Sequence, residues 1–86
     1  MKREAVLRTI NLVLANKGIS PASDSETPMR DAGFRSLDFS EVALRLEDEI
    51  GHELNFQAAA MRQIATISDV IDFFVQAAQA DVLSNP

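Results

Sequence analysis

The 86-residue chain contains no cysteine, no tryptophan and no tyrosine, and it has a single histidine. The absence of cysteine excludes disulfide bonds and thiolate metal sites, and it favours a reducing, cytoplasmic setting. No apolar stretch approaches the length that a membrane span requires, and polar residues interrupt the N-terminal apolar run too often for a signal peptide. The sequence therefore predicts one small domain over residues 1–80, followed by a frayed tail over residues 81–86.

Positive charge is also scarce: the chain has eight lysines and arginines but thirteen acidic residues, and its formal net charge is −5. This balance argues against nucleic acid, whose binders present a basic surface. Nine of the thirteen acidic residues lie between Asp24 and Glu53. Such a segment favours a basic partner surface, since opposite fields steer encounter. The more common alternative is an acidic face that only aids solubility.

The apolar residues of the sequence recur mainly at helical spacing, and no strand pattern of useful length occurs. Four helices are predicted: from about Arg3 to Asn16, from Leu37 to about Ile50, a short one over about 57–63, and one that begins after Thr66. Residues 19–35 are predicted to form a long loop, because proline, serine and glycine punctuate them. The sequence thus predicts an all-α bundle of three longer helices and one short helix, with a long first loop.

Local signals mark the ends of these elements. Lys17-Gly18 and Gly51 are predicted to end the first two helices, because glycine readily adopts the left-handed cap conformation. Thr66 followed by Asp69 predicts a capping box for the last helix. A short helical turn is predicted near 29–32. Three apolar residues are predicted to hold the long loop against the core: Ile19, Met29 and Phe34.

The second helix is predicted to have two distinct faces. Ser36 is its predicted N-cap, because a serine hydroxyl accepts a hydrogen bond from a free amide of the first turn. At about 100° per residue, the core face carries Phe39, Val42, Ala43, Leu46 and Ile50. The opposite face carries Leu37, Ser40, Glu41, Leu44 and Asp48. Two outward leucines within a ring of carboxylates fit a partner footprint, although single exposed leucines are common.

The sequence holds no catalytic constellation. His52 is the only histidine, and about a dozen or more helical residues, at ~1.5 Å each, separate it from Ser36. That separation forbids a hydrogen bond between a nucleophile and its base. Residues 47–49 lack the alternating oxygen ligands and central glycine of a calcium loop. The sequence therefore predicts a protein without catalysis and without a metal site.

One stretch of the chain resembles the acyl carrier protein family. It reads Gly33-Phe34-Arg35-Ser36-Leu37-Asp38, followed by Glu41-Val42 and by Leu46-Glu47-Asp48-Glu49-Ile50. The family's hallmark is an Asp-Ser-Leu motif that opens an acidic helix closing on a Leu-Glu-Glu-Glu-Phe type run. Glu53-Leu54 and Ile64-Ala65-Thr66-Ile67 through Asp72-Phe73 are similar to its second loop and last helix. The resemblance covers the chain from the first helix to about Val75.

The resemblance implies that Ser36 carries 4′-phosphopantetheine, transferred from coenzyme A by a phosphopantetheinyl transferase. The thiol of this arm would hold acyl groups as thioesters in specialised fatty-acid, polyketide or lipid synthesis. By the same resemblance, the second helix of a monomeric carrier would dock onto basic patches of acyl synthases and acyltransferases. Its contacts would be Arg35, Leu37, Asp38, Glu41, Leu44, Glu47 and Asp48. The acyl chain would tuck into the bundle beside Leu44 and Leu46.

Arg35 departs from the family pattern, because an aspartate is typical at this position, and it marks a divergent or specialised member. An arginine beside Ser36 can pair with the phosphodiester of the arm. Alternatively, it weakens recognition by the usual transferase, and the chain is then an unmodified, carrier-like module that binds proteins through its acidic helix. A helix-turn-helix nucleic-acid binder fits the number of helices but not the acidic second helix.

Overall fold

The computed structural model describes residues 1–54 and 58–83, with side chains over 1–54 and 61–79. Its helices are α1 (Arg3–Asn16), α2 (Ser36–Ile50), a 3₁₀ helix (Ala58–Gln63) and α3 (Ile67–Leu83). These elements confirm the predicted all-α class and the predicted order of long and short helices. No helix in the described ranges has both the length and the apolar character needed to cross a membrane.

Two predicted helix ends are confirmed in atomic detail. Gly51 ends α2 with a φ of +83°, and its amide donates to the carbonyl of Glu47 at 2.9 Å. The start of α3 is a reciprocal capping box, because Thr66 Oγ1 accepts the Asp69 amide and the Asp69 carboxylate accepts the Thr66 amide, both at 3.1 Å. The Asp69 carboxylate also accepts the Ala65 amide at 3.0 Å. The amides of Ala65 and Thr66 hold the pKa of the Asp69 carboxyl below its usual value.

The last helix and the short third helix differ from their predictions. α3 continues to Leu83, three residues into the segment 81–86 that the sequence predicts as a frayed tail. The short third helix is a 3₁₀ helix, the tighter form that short connecting segments commonly adopt. The predicted start of this helix at Gln57, and the last three residues of the predicted tail, lie outside the described residues.

The core lies between α1, α2 and α3, with α1 packed against both of the other helices. Its buried side chains are Val6, Ile10, Val13, Leu14, Phe34, Phe39, Val42, Ala43, Leu46, Leu54, Ile67, Val70, Ile71, Phe74, Ala77 and Ala78. Phe39 of α2 joins the helices, because its ring centroid lies 4.7 Å from that of Phe74 and 5.2 Å from that of Phe73. The predicted core face of α2 is confirmed, except that Ile50 is only half-buried.

Side chains of α1 fix the first half of the long loop. The Arg3 guanidinium donates to both carboxylate oxygens of Asp24 at 2.8 Å, and it also pairs with Asp72 of α3. The hydrogen bonds from Arg3 lower the pKa of the Asp24 carboxyl. Asn11 of α1 exchanges two hydrogen bonds with the backbone of Ala22, at 2.7 and 3.1 Å. The loop therefore follows a defined path over the bundle.

Backbone hydrogen bonds tie the second half of the loop to the start of α3. The Met29 amide donates to the Ala65 carbonyl at 2.9 Å, and the Ile67 amide donates to the Thr27 carbonyl at 3.0 Å. A third bond runs from the Ser68 amide to the carbonyl of residue 25 at 2.9 Å. The predicted apolar anchors are confirmed, because Phe34 is buried while Ile19 and Met29 are half-buried against the core. Residues 29–33 form consecutive turns.

Candidate functional site

Ser36 is the first residue of α2, and its side chain is exposed. Arg35, in an extended conformation, occupies the N-cap position, and its carbonyl accepts the Phe39 amide at 3.0 Å. The prediction that Ser36 is the N-cap is therefore wrong by one residue. The physical reason is the carboxylate of Asp38, which accepts the Arg35 amide at 2.8 Å and so fixes Arg35 as the N-cap. The helix therefore begins at Ser36, one residue earlier than predicted. Among the described residues, none forms a hydrogen bond with the Ser36 hydroxyl.

Asp38 lies inside the structure, in contrast to the prediction that it contacts a partner. Only 7% of the residue is exposed, and its carboxylate accepts Lys17 Nζ at 2.6 Å as well as the Arg35 amide. Burial raises the pKa of the Asp38 carboxyl, but these hydrogen bonds outweigh burial and hold the pKa below its usual value. Because both hydrogen bonds meet at Oδ2 of a nearly buried carboxylate, Asp38 is a structural residue that joins the start of α2 to the end of α1.

Gly33 shapes the turn that delivers the chain to Ser36. Its φ is +81°, a region that residues with a side chain rarely adopt. A Cβ at this position would lie 2.8 Å from Cδ1 of Ile19, which packs against the turn from the other end of the loop. The Gly33 carbonyl also accepts Lys17 Nζ at 3.0 Å. The approach to Ser36 is therefore fixed by a glycine and by the amine that binds Asp38.

A groove of about 560 Å³ opens beside Ser36. Its lining residues are Met29, Arg30, Phe34, Arg35, Ser36, Phe39, Met61, Arg62 and Ile64. Phe34 and Phe39 are buried and form part of an apolar surface to which Met61 and Ile64 contribute half-buried side chains. The volume lies within the range of small-molecule sites, about 300–1,000 Å³. The groove has room for an extended group attached at Ser36.

Three arginines line this groove, and all three are exposed: Arg30, Arg35 and Arg62. Of these three, only Arg35 was predicted from the sequence to belong to the site. The sequence did contain a signal for Arg30 and Arg62. Met29-Arg30 and Met61-Arg62 are the two Met-Arg pairs of the chain, and each lies in a segment between long helices. Neither Leu44 nor Leu46 lines the groove. Leu46 is fully buried and Leu44 is exposed, so the groove is not where the sequence analysis expected an acyl chain.

The outer face of α2 carries most of the other predicted site residues. Leu37 is 85% exposed and Leu44 is 63% exposed. Both line a shallow depression that also includes Glu41 and the end of α1. Asp48 is exposed further along the helix. Leu37, Glu41, Leu44 and Asp48 are therefore all accessible on α2, as the sequence analysis expected.

Glu47 is only half-buried and already has an intramolecular role. Its carboxylate accepts the Leu54 amide at 2.9 Å, which fixes the connector after α2. His52 is an exposed residue of this connector, at the opposite end of α2 from Ser36. Among the described residues, no group of three histidine, cysteine, aspartate or glutamate side chains is placed to hold a metal ion. The candidate site therefore comprises Ser36, the groove beside it and the outer face of α2.

Comparison with known proteins identifies the fold. No protein-family model matches the sequence, and no curated protein sequence matches it either. Among solved structures, the chain is similar to the solution structure of the acetyl actinorhodin acyl carrier protein from Streptomyces coelicolor, with a TM-score of 0.65. The match covers 93% of this chain and 94% of that chain, at 20% sequence identity. A likeness at this identity shows the fold, and the fold of this chain is that of an acyl carrier protein.

Proposed function

We propose that this chain is a carrier protein and that Ser36 is the attachment point of 4′-phosphopantetheine. The observation that carries the proposal is the exposed Ser36 hydroxyl, which no described residue binds, at the start of a helix and on the wall of a groove. A helix N-terminus favours an attached phosphate, because its free amides and the helix dipole point at the anion. The acyl-carrier fold supports the same role.

In this role the protein contributes position and electrostatics, and partner enzymes carry out the chemistry. The arm, when attached, supplies a thiol that holds an acyl group as a thioester. Arg35 immediately precedes Ser36 and is exposed, so its guanidinium is available to the phosphodiester oxygens. Asp38 and Lys17 hold the helix start in place, which keeps the Ser36 hydroxyl presented to an incoming transferase. The cargo belongs to fatty-acid, polyketide or lipid synthesis.

The outer face of α2 is the proposed docking surface for these enzymes. Leu37 and Leu44 form its apolar part, and Glu41 and Asp48 contribute exposed carboxylates. This combination fits a partner whose basic patch surrounds an apolar depression, because electrostatic complementarity steers encounter while buried apolar side chains supply affinity. The partners are a phosphopantetheinyl transferase and acyl synthases or acyltransferases.

Incubation of the purified chain with coenzyme A and a broad-specificity phosphopantetheinyl transferase tests the attachment directly. Intact mass spectrometry should show a gain of one phosphopantetheine, and digestion should locate it at Ser36. Ser36→Ala should abolish the gain. Ser20→Ala is the matched control, because Ser20 is also an exposed serine but lies in the first loop, outside α2, and its loss should leave the gain intact. An unchanged mass with several transferases would contradict the proposal.

Arg35 favours a second candidate function. A positive charge beside Ser36 reverses the charge that carrier transferases usually meet there, and the chain would then act without an arm, as an acidic module that binds proteins through α2. The mass of the protein isolated from its native cell separates the two functions. A modified Ser36 supports the carrier, whereas exclusively unmodified protein supports the binding module.

A further inference from the structure

The groove beside Ser36 is basic, in a protein whose formal net charge is −5. Three of the eight lysines and arginines of the chain line it, and the described residues of its lining include no aspartate or glutamate. The three guanidinium groups come from separate segments: Arg30 from the long loop, Arg35 from the start of α2, and Arg62 from the 3₁₀ helix. The positive charge therefore arises from the folding of distant parts of the chain around one groove.

These guanidinium groups differ in their partners from Arg3, Lys17 and Arg45, whereas Lys2 and Arg8 also form no ion pair among the described residues. Arg3 and Lys17 form ion pairs at 2.8 and 2.6 Å, and Arg45 lies 3.7 Å from Glu41. Within the described ranges, Arg30, Arg35 and Arg62 have no carboxylate within ion-pair distance. Like charges around one groove repel one another, and a bound anion removes that repulsion. The groove is thus electrostatically complementary to an anionic occupant.

A phosphodiester at Ser36 supplies one negative charge, which leaves positive charge in excess. Arg35 adjoins Ser36 in the chain and is available to that phosphate, while Arg30 and Arg62 remain. The rest of the lining is mostly apolar, with Phe34, Phe39 and the methionines among its side chains. An occupant that fits both the excess positive charge and the apolar lining has an apolar middle and, beyond the phosphodiester, a second anionic group at its far end.

We propose that the groove holds an acyl group that ends in a carboxylate, that is, a dicarboxylic acid attached to the arm through one of its two carboxyl groups. This inference rests on the proposed function, because the acyl group reaches the groove through the arm on Ser36. Its methylenes lie against the apolar lining, and its free carboxylate pairs with Arg30 and Arg62. Arginine suits this role, since its planar fork binds a carboxylate through two parallel hydrogen bonds.

The test compares two acyl groups of equal length on the full chain. Adipyl and hexanoyl pantetheine arms are loaded onto Ser36, and mass spectrometry first establishes that each is attached. The rate at which hydroxylamine cleaves each thioester is then divided by the rate for the same thioester on free pantetheine. We expect the adipyl thioester to be protected about threefold more than the hexanoyl thioester, the ratio expected for partly exposed ion pairs. Molar salt should remove the difference, because it screens these pairs.

Variants identify the residues responsible. Arg62→Gln and Arg30→Gln should each reduce the extra protection of the adipyl thioester and leave the hexanoyl thioester unchanged. Arg8→Gln is the matched control, because it removes an exposed arginine of α1 that does not line the groove. Amide NMR shifts of Met61 and Ile64 should respond more to the adipyl arm than to the hexanoyl arm, which gives a readout independent of cleavage.

The possible outcomes are distinguishable. Equal protection and equal shifts for the two acyl groups on a loaded chain overturn this inference and leave the carrier function standing. Extra protection that persists in both Arg62→Gln and Arg30→Gln also overturns it, because the carboxylate is then bound elsewhere. A chain that accepts no arm refutes the proposed function, and this inference falls with it.

Discussion

Replacement of Asp38 by asparagine removes the charge that holds the start of α2 to the end of α1. Asp38 is nearly buried, with 9% of its side chain exposed, whereas 35% of the Lys17 side chain is exposed. A hydrogen bond to a charged group contributes about 1.5–3 kcal/mol, and the exposure of Lys17 reduces this range through solvent screening. We therefore expect Asp38→Asn to lower the free energy of unfolding by about 1–2 kcal/mol.

A double-mutant cycle isolates this ion pair. The variants are Asp38→Asn, Lys17→Met and the two changes combined. Urea unfolding should be followed by far-UV circular dichroism, since the chain contains neither tryptophan nor tyrosine for intrinsic fluorescence. We expect a coupling energy of about 1 kcal/mol between the two positions, because the pair is direct and one partner is nearly buried. A coupling energy near zero would refute the assignment of Asp38 as the link between α1 and α2.

The pH dependence of the unfolding free energy of Asp38→Asn tests independently whether the ionised Asp38 carboxylate stabilises the fold. The pKa of the Asp38 carboxyl is lower in the folded chain than its usual value of 3.8. Its contribution to stability is therefore complete above about pH 4–5 and disappears as the pH falls through the lower, folded pKa. The difference in unfolding free energy between the original protein and Asp38→Asn should shrink below about pH 4. A difference that stays constant from pH 7 to pH 2.5 would refute the reasoning.

Three further changes test other parts of the molecule. Gly33→Ala should cost about 1 kcal/mol more in unfolding free energy than Gly18→Ala, because both glycines have positive φ but only at Gly33 does the added methyl meet another side chain. Leu44→Gln should leave the urea midpoint nearly unchanged, since the side chain is exposed, and should slow modification by the transferase; unchanged modification kinetics would remove Leu44 from the docking surface. Asp69→Asn should lower the melting temperature at pH 7 but not near pH 2, because the pKa of Asp69 is lowered by the amides it accepts.

The helices were predictable from the sequence because their determinants are local. Apolar residues at helical spacing defined the buried faces of all three long helices, and Gly51 and the Thr66–Asp69 pair defined two ends. The start of α2 was placed one residue too late, because the pattern favoured a serine cap. The deciding interaction was the Asp38 carboxylate on the Arg35 amide, and Asp38 is held there by Lys17, a residue of another segment.

The groove was not predictable, because it exists only where two distant segments meet. Residues 29–36 and residues 61–64 supply nearly all of the lining that the structure describes, and nothing in their spacing indicates that they are neighbours. The Met29 amide on the Ala65 carbonyl brings them together. Ser36 and the exposed face of α2 were therefore predictable from the sequence, whereas Arg30 and Arg62, which contribute to the charge of the groove, were not.

The anchoring of the first loop has a consequence for the evolution and engineering of this chain. Surface loops usually tolerate insertions and deletions, but this loop is held at Ala22 and Asp24 by side chains of α1 and at Met29 by the segment before α3. A residue added between two anchors moves the next anchor residue out of position relative to its hydrogen-bond partner. The number of residues in each interval should therefore be constrained as strictly as the identity of a core residue. Tags and fluorescent labels are better placed before α1 than in this loop.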